Sequence, residues 1–291
     1  MNALRIPFTG RLGPILGSFL ATVLSVTVSA ADPGPRLGWT NQLLTVDWPG
    51  LPGGPLPVWY LEAFLHPGAH GRDWRESVIP HRTRLVETAA DGRELRFLTE
   101  VDPAVEVRHT VRCVDDGLLL DFQLHNRGTT TNDLQWFQPA CIRVAGFTGR
   151  DQKGFVERSF VFTESGLTTL DRTGRTEEAR YRGGQVFPMP GVSESDANPR
   201  PIAARRPVNG LIGCWSADGR WILATASDRT HELFEGVYVC LHSDPAVGGL
   251  GPGERKSVRQ KLYLVTNDIP ALLERHRRDF GTEAVKPGTG R

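Results

Sequence analysis

The chain has 291 residues, and its 34 lysines and arginines against 33 aspartates and glutamates leave a formal net charge of +1. The two signs are interspersed, which excludes the basic footprint of a nucleic-acid- or polyanion-binding protein. The length fits one large β domain or two small ones.

Arg5 and Arg11 precede an apolar run from Ile15 to Val28 and the small-residue sequence Val28-Ser29-Ala30. A basic start, an apolar middle and a small-residue end make a secretory signal, so residues 1–30 are expected to be a signal peptide and the product periplasmic or extracellular. Gly17, Ser18, Thr22, Ser25 and Thr27 make that run a poor permanent span. No membrane span is expected after signal removal. Residues 31–284 are expected to form a single β-sandwich domain, and 285–291 a flexible tail.

After a Pro/Gly-rich lead-in (Asp32 to Gly38), Leu44 to Trp48 reads as a short strand and Pro49 to Pro57 as a loop. Val58 to Leu65 is strand-like, and His66 to Pro80 is a loop carrying two histidines, Asp73, Trp74, Arg75 and Glu76. Arg82 to Thr88 and Glu94 to Val101 flank Asp91-Gly92, the strongest short hairpin signal. Val105 to Cys113 and Leu118 to Asn126 form a second hairpin with clean alternation, apolar inward and polar outward, the pattern of an antiparallel sheet. His109 stands on the apolar face, where a satisfied core histidine is expected. Leu134 to Val144 is a strand interrupted by Pro139, and 148–206 is a polar excursion broken by Phe155 to Thr163 and Gly166 to Leu170. A third hairpin turns at Asp218-Gly219. A strand from Gly236 then delivers His242-Ser243-Asp244 at its end, and Lys256 to Thr266 completes the β region. Asp268 is placed to N-cap a helix through Phe280, with Pro270 in its first turn. This is an all-β chain: an antiparallel β-sandwich of supersandwich type with one C-terminal α-helix.

Cys113, Cys141, Cys214 and Cys240 fall in expected strands among apolar neighbours. Export permits disulfides, with three pairings open to four cysteines, and buried free thiols fit the same surroundings. No CxxC pair of a zinc or redox motif appears, and Pro67 and Gly68 deny His66 and His70 a helix on which to share a metal. Neither a metal nor another cofactor is expected.

His242 is the leading catalytic candidate, since imidazole titrates near neutrality and alternation gives it a face with Tyr238 and Cys240. His231, beside Glu232, feeds into the same strand. Trp136 offers a flat face for a sugar ring, and Gln138 and Arg143 offer donors to a hydroxyl or carboxylate. Trp74, Arg75 and His81 make a second set of candidate sugar contacts at a loop–strand junction, and Glu62 is a further substrate-binding candidate, expected on one concave face with His242, His231 and Arg143.

Leu124-His-Asn-Arg-Gly128 followed by Trp136-Phe-Gln-Pro139, and Val239-Cys-Leu-His-Ser-Asp-Pro245 followed by Leu250-Gly-Pro-Gly-Glu254, resemble the galactose mutarotase-like supersandwich superfamily over roughly Val105 to Val265. The resemblance implies a carbohydrate-facing sheet. It departs at two positions: Gln138 stands where the family has histidine before proline, and His242 where it has its glutamate base. The standard acid–base pair of mutarotation is therefore missing. The wider group includes polysaccharide lyases that use Tyr, His, Arg and Asn, for which Tyr238, His242, Arg143 and Asn126 would be the counterparts. The expectation is an exported carbohydrate-active protein, a lyase or epimerase working by His-assisted acid/base chemistry on a mono- or polysaccharide. The alternatives are a non-catalytic glycan-binding sandwich and a structural envelope protein.

Overall fold

A computed structural model describes residues 34–281. The expected signal peptide and the 285–291 tail lie outside the described residues. No helix among the described residues is long and apolar enough to cross a membrane.

Two antiparallel sheets face each other. In the larger, nine strands run in the order 166–169, 159–163, 212–215, 221–227, 255–266, 117–126, 105–114, 94–101 and 81–88. In the smaller, seven run in the order 36–40, 43–47, 56–59, 141–143, 240–245, 230–236 and 184–188. A third sheet has three strands, in the order 136–138, 63–65 and 78–79.

The register follows from side-chain alternation. Val107 pairs with Leu124 and Val111 with Leu120. All four, with Val105, Leu118 and Phe122, are no more than 2% exposed. Each buried aliphatic or aromatic side chain contributes about 1.5–3 kcal/mol, and a one-residue slip would turn the whole set to solvent. The main core joins Leu44, Val58, Ile142 and Leu241 of the seven-stranded sheet to Val107, Phe122 and Val258 of the nine-stranded one. Because successive strand residues alternate faces, burying Ile142 and Leu241 turns Cys141, Arg143, Cys240 and His242 to the outer face. That alternation creates the site.

Several elements differ from the sequence expectation. The lead-in forms an edge strand, Arg36–Thr40. Val58 to Leu65 divides at Tyr60 to Glu62 into strands of two different sheets, as does the segment around Pro139. The long excursion supplies the edge strand Gly184–Pro188 and several short 3-10 turns. The strand expected from Gly236 begins instead at Cys240, after a tight turn in which Val239 adopts φ 57°. A β-branched residue there is unusual, so nothing local announced the break.

The terminal helix spans Ile269–Phe280, and the Asp268 carboxylate accepts from the Ala271 N–H at 2.9 Å. Its Leu272 packs with Phe160, Ile222 and Tyr263 on the outer face of the nine-stranded sheet. Asp268→Ala removes the cap and is expected to cost about 1 kcal/mol. Chemical denaturation should show the midpoint fall at constant slope, and an unchanged midpoint would mean that the cap is idle.

Candidate functional site

Strands 141–143 and 240–245 are hydrogen-bonded neighbours, pairing Ile142 with Leu241 and Arg143 with Cys240. Their outer faces form the floor of a depression. Glu62 enters from the side: its backbone N–H donates to the Gln138 carbonyl at 2.9 Å, in the crossing between the seven-stranded sheet and the small one. Two adjoining cavities of about 520 Å³ and 280 Å³ share Glu62, Trp74 and Tyr238. Trp59, His81 and Arg143 line the first; Cys141, Arg200 and His242 line the second. Such volumes suit a small polar ring or a short oligomer.

His242 is 1% exposed. Its Nε2 lies 3.5 Å from Cys240 Sγ and 3.8 Å from Glu62 Oε2. Its Nδ1 is 3.5 Å from Asp244 Oδ1, and the other Asp244 oxygen accepts from Gln138 Nε2 at 2.9 Å. Phe234 meets the imidazole edge-on at 5.1 Å. Burial opposes the imidazolium, but the Cys141 and Asp244 charges outweigh it and hold His242 well above its usual range. Hydrogen bonding from Cys240, aided by His242 and Arg143 against burial, brings Cys141 down to about 4. Cys240, sharing that hydrogen bond and buried, is pushed well up. Burial pushes Glu62 up to about 7, with His242 opposing the rise and Cys141 and Asp244 adding to it.

Guanidinium groups stand on two aromatic walls, Arg143 over Tyr238 at 5.1 Å and Arg200 over Trp74 at 5.7 Å. Trp74 opens a short helix, Trp74–Ser77, whose N-cap Asp73 accepts from the Arg75 N–H.

Glu62, Trp74, His81, Gln138, Arg143, Tyr238 and His242, all singled out in the sequence, line these two cavities. Four others lie elsewhere. Trp136 is fully buried against Ala63, Leu65 and Ala69, donates to the Asp196 carbonyl, and offers no open face. His231, 2% exposed, stacks on Trp136 at 5.1 Å and lines neither cavity. Asn126 is buried and donates to the Thr130 and Leu250 carbonyls, tying two turns together. Arg75 is exposed on the short helix and lines neither cavity. Conversely, Arg200 and Cys141 belong to the depression without having been candidates. Cys141 shares an alternation face with Arg143, which could have pointed to it; Arg200 sits in an irregular segment with no periodicity to read.

All four cysteines are unbridged. No family model matches the chain, and no curated protein matches it in sequence. The structure bears a distant resemblance to galactose mutarotase-like proteins. One, from Lactobacillus casei ATCC 334, is 9% identical with a TM-score of 0.40, covering 79% of this chain and 100% of that one. Another, from Clostridium acetobutylicum, is 9% identical with a TM-score of 0.43, covering 79% and 94%. A polysaccharide lyase, 8% identical with a TM-score of 0.39, covers 81% of this chain, which spans 33% of that protein's length. The likeness is one of fold; the site stands on its own residues.

Proposed function

We propose that the depression is a saccharide site and that the protein is an exported carbohydrate-active enzyme of lyase or epimerase type. One observation carries this reading. The Glu62 side chain, 31% exposed and with its carboxylate 3.8 Å from His242, lies in a depression that also holds Arg143, Arg200 and the aromatic faces of Trp74 and Tyr238. Aromatic faces suit the apolar side of a sugar ring, and guanidinium groups suit its carboxylate or ring oxygens.

Glu62 takes the proton from the carbon beside a sugar carboxylate or carbonyl. The C–H bonding pair moves onto the adjoining oxygen, where Arg143 or Arg200 stabilises the negative charge. A water on the opposite face gives a proton back to the carbon, and Glu62 releases its own to the solvent, which completes an epimerisation. Alternatively the pair returns to form a carbon–carbon double bond, the β-oxygen substituent leaves with its bond pair and takes a proton from water, and Glu62 gives its proton to the solvent, which completes an elimination. His242 Nε2 lies 3.8 Å from the Glu62 carboxylate, on the floor of the depression.

Binding tests the reading first. Calorimetric titration with a panel of neutral and uronate oligosaccharides should find at least one ligand for the wild type. Trp74→Ala should weaken it about tenfold, or about 1.4 kcal/mol. No ligand in the panel, or binding indifferent to Trp74, would remove the saccharide reading. A non-catalytic glycan-binding role is the second reading, favoured by the two aromatic–guanidinium stacks, and binding without any turnover would select it.

A further inference from the structure

The linear spacing of the cysteines hides a set that the fold brings together. The register that pairs Ile142 with Leu241 places Cys141 opposite His242, and Cys240 is two residues before that histidine on the same face. Cys141 Sγ, Cys240 Sγ and a ring nitrogen of His242 all lie within 4.8 Å of one another, and all three residues are buried. We infer that Cys141, Cys240 and His242 form a binding site for a zinc-class divalent ion, with a water from the cavity as fourth ligand.

Distances support this. Zinc–sulfur and zinc–nitrogen bonds of about 2.3 and 2.0 Å at a tetrahedral angle separate the two donor atoms by about 3.5 Å. Cys240 Sγ and His242 Nε2 already stand 3.5 Å apart. Glu62 Oε2, 3.8 Å from Nε2, has no hydrogen-bond partner, so it is free to accept from a water at the fourth corner.

The surroundings of the ring supply the independent observation. His242 Nδ1 makes no hydrogen bond although the residue is 1% exposed, and the nearby Asp244 Oδ1 is equally unpartnered, 3.5 Å away. Metal-ligating histidines ordinarily present one nitrogen to the ion and donate the other N–H to a carboxylate that is itself held. Asp244 is held in that way, by Gln138 at 2.9 Å. A Cys141–Cys240 disulfide would use the same sulfurs but leaves the imidazole and Glu62 unexplained, and it fits the register poorly. Cys240 faces Arg143, so the two cysteines are diagonal neighbours. Diagonal pairs across a ladder stand about 7–8 Å apart, beyond the usual 4.4–6.8 Å Cα separation of a disulfide. Two thiolates and an imidazole favour zinc over calcium or magnesium, which take oxygen ligands. The site forms one floor of the proposed saccharide depression, yet the inference does not depend on that reading, since metal content is measured without any sugar.

The protein, purified in reducing buffer, is loaded with Zn²⁺ or Co²⁺ and dialysed, and metal per protein is measured by elemental mass spectrometry. One equivalent of zinc is expected, together with a near-ultraviolet thiolate-to-cobalt absorption band in the Co²⁺ form. Cys113→Ser and Cys214→Ser should keep both. Cys141→Ser and Cys240→Ser should bind at least tenfold more weakly and lose about half the band. Should either serine variant fail to fold, as judged by its melting curve, Asp244→Asn should weaken zinc 10–100-fold. Substoichiometric zinc with four free thiols would overturn the inference. So would an intact mass two hydrogens short with a 141–240 disulfide, or a cobalt spectrum unmoved by Cys141→Ser.

Discussion

Glu62→Gln should leave the protein folded and lower kcat about 10²–10⁴-fold, with KM nearly unchanged. The range is what one positioned proton-transfer group supplies, about 3–5 kcal/mol of barrier. Glutamine keeps the side chain's volume and leaves Trp74, Arg143, Arg200 and Tyr238 in place, so substrate binding survives while proton abstraction does not. The fold should tolerate the change because Glu62 Oε2 already lacks a hydrogen-bond partner and the side chain is 31% exposed. Steady-state kinetics beside a thermal melt separates the two effects. Full turnover in a folded Glu62→Gln protein would take Glu62 out of the chemistry.

The second large effect lies away from the site and concerns pH. His109 is 2% exposed, with Nδ1 2.5 Å from the Tyr60 hydroxyl and Nε2 2.9 Å from Thr99 Oγ1, and its ring stacks on Phe97 and Phe122. Burial holds its pKa down to about 3 against an ordinary 6.5. The folded protein therefore keeps His109 neutral where the unfolded chain would protonate it. Its contribution is fully present above pH 6.5 and is lost as pH falls from 6.5 toward 3, at up to about 1.4 kcal/mol per pH unit and on the order of 5 kcal/mol in all. Denaturant titrations from pH 7 to 4 should show this slope, and His109→Gln, though less stable at neutral pH, should show a shallower one. An identical slope in the variant would mean that other groups dominate acid sensitivity.

The parts of the fold legible in the sequence are those governed by local rules. Alternation over Val105 to Asn126 set both strands and their faces, and it placed His109 inside. The Asp268 carboxylate and Pro270 marked the helix start because capping is decided within one turn. What escaped depends on partners far along the chain or on backbone states without a sequence signature. Val239 at φ 57° carries no signal, so the turn before Cys240 was hidden and Tyr238 was placed within a strand rather than at an exposed hairpin tip. Trp136 suggested a sugar platform because a tryptophan in a strand reads alike whether it faces solvent or core; the pairing of 136–138 with 63–65 decides for the core. Alternation put His242 and Cys240 on one face. Their meeting with Cys141 and Glu62 required the pairing of strands about a hundred residues apart, which no local pattern encodes.

The saccharide reading meets its most direct test in heavy water. Wild-type protein incubated in D₂O with the ligand found by titration should place deuterium on the carbon beside the sugar's carboxylate or carbonyl, seen as a lost proton resonance or as an unsaturated product. Glu62→Gln should show at most one hundredth of that rate. A bound sugar whose carbon-bound protons remain untouched by the wild-type protein would contradict proton transfer at this site.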